Sequence, residues 1–222
     1  MADKTPIIAL RLEGALQSWG DHSKWDERDS GNFPTKSGVV GLIACAMGLS
    51  RENEKVVDLT RSFQMAVRAD RPGTRIIDFN TVMGNPLYTA GGKRPQSAST
   101  IVSHRCFLED ASFLALIEPS PEWIRPIIDS LKSPKWPIYL GRKSCVPSRP
   151  VLECVTEDYL SLADALTRFP LCERSAAGEY IRYESDFPMP GASSYTRSDL
   201  LSSADRNFSK RTVYTGVIRK EA

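Results

Sequence analysis

Apolar and polar positions along the chain alternate in short blocks, which predicts a mixture of strands and helices. Runs of strand length predict strands at Pro6–Leu12, Phe63–Arg68, Thr74–Phe79, His104–Leu108, Ala111–Glu118, Glu179–Phe187 and Arg211–Lys220. Helical spacing or a continuous apolar run predicts helices at Val39–Leu49, Pro121–Leu131 and Leu160–Arg168, and Arg51–Leu59 is predicted to be a short amphipathic helix or a turn. The stretch Met189–Asn207 has no clear period and is predicted to be rich in loops.

The order of these predicted elements indicates an α+β fold. Through residue 150 it runs strand, helix, strands, insert, strands and helix, which resembles the split βαβ arrangement of ferredoxin-like (RRM-like) domains. The insert, Asn80–Ser103, is interrupted by Gly and Pro and is either a projecting hairpin or a mobile segment. Residues 151–222 are predicted to form a small, β-rich C-terminal extension packed on the first domain, 1–150. Such a fold does not by itself establish a function.

The apolar helix that begins near residue 36 offers the first candidate binding site. Thr35 and Ser37 are favourable N-cap residues, and Lys36, Ser37 and Gly38 stand at the predicted helix N-terminus. Free amides and the positive end of the helix dipole favour a phosphate group there. The alternative is an ordinary capped core helix, apolar all round and enclosed, with an exposed lysine. A nucleotide-binding loop is disfavoured, because Ser30 and Thr35 stand where that motif requires glycine.

A long polar segment, Glu13–Pro34, precedes this helix and carries two tryptophans, Trp19 and Trp25. A loop of this length is usually functional or disordered. Its aromatic rings, together with Gln17 and Arg28, suit base stacking and phosphate contact in single-stranded nucleic acid. The alternative is that Trp19 anchors the loop onto the core.

A basic loop follows the predicted helix that ends at residue 131 and offers another candidate binding site. In this loop Arg142, Lys143 and Ser144 come directly after Gly141, and Tyr139 lies beside them. Backbone amides, two cations and a hydroxyl within four residues suit a phosphodiester backbone. The alternative is a solvated turn whose charge is incidental.

Composition limits the remaining classes of function. The 222 residues carry a formal net charge of +2, so any basic surface must come from local arrangement. Neither a bilayer-spanning apolar run nor a signal peptide is apparent, and we therefore expect a cytoplasmic protein without a membrane partner. His22 and His104 are the two histidines, and no cysteine pair has zinc spacing, so we expect neither a metal nor another cofactor.

Four segments, in the order LRLEGALQSWG, FPTKSGVVGLIACAMGL, DFNTVMG and YLGRKSCVPSRP, give the chain a family resemblance. Together they resemble the CasD subunits of the type I-E CRISPR Cascade surveillance complex, which belong to the RAMP superfamily. The resemblance runs from Leu10 to about Pro150 and continues more faintly beyond. It implies a ferredoxin-like domain with a projecting β-hairpin thumb at about residues 80–103 and a C-terminal extension.

The resemblance also implies a function in antiviral defence. The chain would be a non-catalytic RNA-binding subunit that holds the 5′ handle of the CRISPR RNA and caps the complex at that end. Its implied partners are the CasC backbone subunit, the large PAM-reading subunit and, indirectly through the complex, target DNA. The candidate RNA contacts, from the motifs and the resemblance together, are Gln17, Trp19, Lys36, Ser37, Gly38, Thr81, Met83, His104, Arg105, Tyr139, Arg142, Lys143 and Ser144.

The competing function is a metal-independent endoribonuclease that processes CRISPR repeat RNA, as some relatives in another subtype do. Such an enzyme needs an imidazole or a lysine to activate the 2′-hydroxyl or to stabilise charge. His104 beside Arg105 is the one local pair of this kind, with Lys93 available as a proton donor. A lone histidine near the start of a strand is more often structural, and we expect no enzyme activity.

Overall fold

The computed structural model describes residues 5–20, 27–84, 100–203, 205 and 207–220. Within these residues the chain forms nine strands and four helices. The strands are β1 (Ile7–Gln17), β2 (Glu27–Arg28), β3 (Phe63–Arg71), β4 (Thr74–Met83), β5 (Thr100–Pro119), β6 (Leu152–Thr156), β7 (Tyr180–Ser185), β8 (Ser193–Leu201) and β9 (Phe208–Arg219). The helices are α1 (Lys36–Met47), α2 (Lys55–Arg61), α3 (Pro121–Lys132) and α4 (Leu162–Arg168). Within these ranges no helix has the length and apolar character needed to span a membrane.

The nine strands belong to a single sheet. Seven of them lie side by side in the order β6-β1-β5-β3-β7-β9-β8, and all of these neighbours are antiparallel. The other two pair with the N-terminal half of β5, β2 in parallel and β4 antiparallel. The predicted α+β class is therefore confirmed, as a large antiparallel sheet with a few helices. Residues of the predicted C-terminal extension supply β6 beside β1 and β7 beside β3, so they continue the same sheet.

β3 and β4 pair one after the other with the same long strand, β5. β3 lies along residues 112–119 of β5, and β4 lies along residues 100–109. The backbone takes positive φ angles at the junction, 74° at Gly73 and 52° at Asp110. The guanidinium of Arg71 donates to the carbonyl and the carboxylate of Asp110, which braces this bend. β4 and the first half of β5 thus form a ribbon that continues the core sheet, and β2 flanks it at His104 and Arg105.

Some predicted boundaries differ from the structure. β1 extends to Gln17, because its pairing with β5 continues beyond the first apolar run. The strands predicted at His104–Leu108 and Ala111–Glu118 are one strand, bent at Asp110. The stretch Met189–Asn207, predicted to be rich in loops, contains β8, whose pairing with β9 stabilises a strand without apolar alternation.

Alternation along β1 places its side chains in two separate cores. Ile8, Leu10 and Leu12 pack in one core with α1, α2 and α3. Ile7 and Ala9 face the other side of the sheet and pack in a second core with α4. RRM-type domains bind RNA bases on their sheet surface. In this chain α4 covers that second face of the sheet, so the candidate binding residues have to be sought on other surfaces.

A buried ionic cluster fastens the segment after α4 to the sheet. The carboxylate of Asp70 accepts hydrogen bonds from Arg11 and Arg68, both at 2.6 Å, and from the Cys172 amide at 3.1 Å. Both guanidiniums also donate to the carbonyl of Pro170. Buried charges are tolerated only where they are paired and hydrogen-bonded, so each member of this cluster depends on the others.

We expect Asp70→Ala to lower the free energy of unfolding by about 3–5 kcal/mol, because it leaves two buried guanidiniums without their carboxylate. Urea unfolding followed by circular dichroism measures this loss. The control is Asp129→Ala, which removes an exposed pair with Arg125 (3.9 Å) and is expected to change stability by at most about 1 kcal/mol. Equal losses in the two variants would contradict the proposed role of the buried cluster.

Candidate nucleic-acid interface

The N-terminal amides of α1 are bound by the protein's own side chains. The hydroxyl of Thr35 accepts from the amide of Gly38 at 3.1 Å, as expected for an N-cap. The carboxylate of Asp199, from β8, accepts from the amide of Lys36 at 2.8 Å. The prediction that these two amides are open to a phosphate is therefore wrong, because neighbouring oxygens already occupy them.

The side chain of Lys36 is buried, which corrects the prediction of an exposed cation at this helix end. Its ammonium group donates to the carbonyl of Phe63 and to the carboxylate of Asp186, both at 2.7 Å. The side chain is 7% exposed. The sequence alone does not indicate this burial, since both partners lie far from Lys36 along the chain.

Gln17 and Trp19 also belong to the core, so the prediction that they contact RNA bases is wrong. Gln17 is fully buried, and its amide donates to the carbonyls of Leu12 and Ala111. The indole of Trp19 donates to Gln17 at 3.0 Å, and the residue is 1% exposed. Trp19 therefore anchors the loop, the alternative interpretation of this residue. A Cβ on Gly38 would lie 2.9 Å from the indole, which explains glycine at that position.

One flank of α1 lines a groove of about 910 Å³. Ser37, Gly41 and Cys45 lie along this flank, four residues apart and therefore on one face of the helix. Gly41 is exposed, and a Cβ there would meet nothing within 4 Å. The expectation that α1 is enclosed on all sides is thus wrong along this flank. We call this feature the α1 groove, and its small side chains let a ligand approach the helix closely.

The far side of the α1 groove carries aromatic and basic groups. Trp136, which is 42% exposed, and Tyr139 lie on one wall, and Phe208 from β9 lies on another. Among the described residues, the charged groups that line the groove are Arg51 and Lys143, without a carboxylate. Aromatic rings beside cations are the usual means of holding single-stranded nucleic acid.

The cysteine thiol in the α1 groove adds no negative charge at neutral pH. Burial raises the pKa of Cys45, and the nearby ammonium of Lys143 offsets this only in part. Burial likewise raises the pKa of Cys145, in the adjacent loop. Both thiols therefore stay protonated and do not repel a phosphate.

The loop that carries the predicted Gly-Arg-Lys-Ser motif is fixed by close backbone packing. Gly141 has a φ angle of 88°, and a Cβ there would lie 1.7 Å from the carbonyl oxygen of Ser18. The amide of Ser18 donates to the carbonyl of Leu140 at 3.1 Å. Glycine is therefore required at 141, and the loop holds Lys143 at the α1 groove.

Arg142 points from the same loop toward β2 and β5. Its guanidinium donates to the carbonyls of Cys106 and Arg28 at 3.2 and 2.8 Å and lies 4.8 Å from the ring centre of Phe107. Burial is the main cause that lowers the pKa of Arg142, and the positive charges of Arg105 and Arg28 add to it. We call Arg28, Arg105 and Arg142 the basic cluster, which adjoins the groove through the loop.

The outer part of the β4–β5 ribbon presents apolar side chains. Cross-strand partners place Thr81 and Met83 on the same face as His104, because opposed residues of antiparallel strands share a face. Met83 is 76% exposed, and Phe79 is 61% exposed. The His104 ring meets that of Phe79 edge-on, with ring centres 5.5 Å apart. Arg105, the next residue, points to the opposite face.

Comparison with known proteins identifies the family. The family model described as CRISPR-associated protein (Cas_Cas5) matches residues 7–218. The chain belongs to this Cas5 family. It is 33% identical over 156 residues to the CRISPR system Cascade subunit CasD of Escherichia coli (strain K12), covering 65% of this chain and 68% of that protein.

Two solved structures share the fold of this Cas5-family chain. A chain of a structure titled "CRISPR RNA-guided surveillance complex" aligns with a TM-score of 0.75 and 29% identity, covering 97% of this chain and 90% of that one. A structure titled "Crystal structure of Cas protein" aligns with a TM-score of 0.73 and 32% identity, covering 96% and 95%. The similarity therefore includes the C-terminal strands β7 to β9.

The candidate residues separate into distinct sites in this Cas5-family fold. Ser37, Gly38, Tyr139 and Lys143 line the α1 groove. The basic cluster contains Arg105 and Arg142, and the ribbon carries Thr81, Met83 and His104. Ser144 is exposed in the basic loop. The candidates His22, Trp25 and Lys93 lie outside the described residues.

Sequence reasoning did not single out three residues of the α1 groove. These are Arg51, Trp136 and Phe208. The sequence offers one usable signal, a tryptophan between Lys135 and Pro137 where no helix or strand would bury it. For the other two no signal exists, because Arg51 lies in the turn after α1 and Phe208 at the start of β9, and only the tertiary structure brings these segments to the groove.

The two lysines predicted to bind phosphate should behave differently. We expect Lys36→Met to lower the free energy of unfolding by about 3 kcal/mol, because it removes a buried ionic partner of Asp186. Lys143→Met should change stability by at most about 0.5 kcal/mol, because Lys143 is exposed. Chemical unfolding of both variants measures the difference. A stable Lys36→Met protein would show that the buried contacts of Lys36 contribute little.

Proposed function

We propose that this chain is a non-catalytic RNA-binding subunit of a CRISPR Cascade surveillance complex. In this proposal it holds the 5′ handle of the CRISPR RNA and caps the complex at that end. The observation that carries the proposal is the α1 groove, which joins aromatic rings and Lys143 to a helix flank of small residues beside the basic cluster. Family membership and the match over 97% of the chain to a surveillance-complex protein support the cellular context.

The chemistry of the α1 groove suits a short single strand of RNA. Lys143 and Arg51 would contact phosphates, and the rings of Trp136 and Tyr139 would stack against bases. Along Ser37 and Gly41 the RNA backbone would approach α1 closely. The near-neutral total charge is compatible with this role, because the described residues that line the groove include two cations and no carboxylate.

The wider architecture supports the proposed assembly. The order β6-β1-β5-β3, with α1 and α3 as connecting helices, fits a ferredoxin-like core, and the β4–β5 ribbon would be its thumb. The exposed Ile77, Phe79 and Met83 on the ribbon would contact the CasC backbone subunit and the bound RNA. The large PAM-reading subunit would complete this end of the complex in the cytoplasm and would link it to target DNA.

The geometry at His104 favours a scaffold over the alternative ribonuclease. A nuclease needs its base and its charge-stabilising group directed at the same phosphate. Successive residues of a strand point to opposite faces, so His104 and Arg105 diverge. The nearest described ring beside His104 is the apolar side chain of Phe79. This arrangement suits stacking better than proton transfer.

We expect Lys143→Ala to weaken binding of handle-containing single-stranded RNA by about tenfold, because one phosphate contact is lost. The slope of log affinity against log salt should also become shallower by about 0.7. Fluorescence anisotropy across a salt series measures both quantities. Lys132→Ala serves as the control, since Lys132 is an exposed lysine of α3 outside the groove lining. If both variants bind like the wild type, the α1 groove is not the RNA site.

We expect the purified chain to bind full-length repeat RNA without cutting it. The reason is the divergence of His104 and Arg105, which leaves no paired acid and base among the ribbon residues that the structure describes. Single-turnover incubation with end-labelled RNA in the presence of a chelator, with His104→Ala as the control, tests this expectation. Site-specific cleavage by the wild type that disappears in His104→Ala would overturn the scaffold proposal.

A further inference from the structure

A closed network of charges joins the C-terminal strands to the start of α1. Asp199 on β8 accepts from the backbone amide of Lys36 at 2.8 Å and from Arg211 at 2.6 and 3.0 Å. Arg211, on β9, also donates to Asp186, which in turn accepts from the ammonium of Lys36. We call these four residues the Asp199 network. Its two cations and two carboxylates balance, so it needs no further counter-ion.

Burial makes the Asp199 network a rigid connection. Asp199 is 3% exposed, and the side chains of Lys36 and Arg211 are 7% and 10% exposed. Burial lowers the pKa of Arg211, but its hydrogen bonds to Asp199 and the charge of Asp186 outweigh this effect and raise the pKa overall. The guanidinium therefore stays charged, and rearranging the network would expose or separate buried ions.

The same strands that hold the helix also line the α1 groove. Asp199 fixes the backbone at Lys36, and the next two residues, Ser37 and Gly38, begin the helix flank of the groove. Two residues beyond Asp199, Leu201 lines the groove, and Phe208 at the start of β9 lines it as well. The Asp199 network thus fixes the distance between two walls of one groove.

We propose that Asp199 is a positioning residue for RNA binding, which sets the first turn of α1 against the β8–β9 wall. The inference rests on the proposed function of the α1 groove. Asp199 itself does not touch the RNA, because it is buried beneath the helix end. Its contribution is a preformed groove, so that RNA binds without first ordering the walls.

A neighbouring carboxylate provides a matched control. Glu184 on β7 is 8% exposed and accepts from Arg197 of β8 at 2.7 and 3.2 Å and from Tyr195 at 2.7 Å. It is therefore a buried carboxylate bound by an arginine of the same sheet, like Asp199. Its hydrogen bonds join β7 to β8, and the described contacts do not connect it to α1. We expect that removing Glu184 costs comparable stability and leaves the helix end in place.

The experiment compares Asp199→Ala with Glu184→Ala in the full chain, at a temperature where both are folded. Each variant is expected to have a lower melting temperature than the wild type. Asp199→Ala alone should weaken RNA binding, by about tenfold, and increase amide hydrogen exchange at residues 36–39. Asp199→Asn keeps an oxygen that accepts from the Lys36 amide, so its RNA affinity should stay within about threefold of the wild type.

The results separate this inference from the proposed function. If the wild type binds RNA and Lys143→Ala weakens binding while Asp199→Ala does not, the positioning role alone is overturned. Equal weakening by Glu184→Ala overturns it too, since the effect would then follow general stability. If the wild type does not bind RNA, the proposed function and this inference fail together. Should Asp199→Ala not fold, Arg211→Gln replaces it, because it removes the cation that holds the carboxylate of Asp199 against β9; unchanged RNA affinity in that variant overturns the inference.

Discussion

The hydrogen-bonding capacity of β5 is the constraint on which the architecture depends. Its 20 residues pair with β1 and β3 in the core sheet and with β4 and β2 beyond it. Because one strand serves both regions, the ribbon has a fixed direction relative to the core. The bend at Gly73 and Asp110, braced by Arg71, sets that direction. The basic cluster lies beside this strand, so it too is positioned by β5.

Two buried carboxylates fasten other segments of the chain to the sheet and to α1. Asp70 closes the segment after α4 onto one face of the sheet, and Asp199 closes the C-terminal strands onto α1 at the other. In each place an aspartate accepts from an arginine and from a backbone amide, which satisfies groups that burial would otherwise leave unpaired. The contacts of these two aspartates fix which segment lies against each face of the sheet. One face is covered by α4, and the surface along α1 stays open as a groove.

Polar and aromatic groups at the surface form the proposed RNA interface. The groups that line the α1 groove combine cations with aromatic rings. Arg142 has a double role, because it ties the Gly141 loop to β5 while adding its charge to the basic cluster. The groove is thus built on rigid elements, which suits the proposed role of holding one RNA conformation in a larger assembly.

The sequence by itself determined most of the element types, the family motifs and the candidate loops around Ser37 and Lys143, because local spacing and turn chemistry carry that information. It did not determine the roles of individual polar residues. Lys36 and Lys143 look alike in sequence, yet Lys36 reaches Asp186, 150 positions away, and is buried, whereas Lys143 lies at the surface. Burial and long-range ion pairing are properties of the folded chain, so only the tertiary structure decided which lysine faces the groove.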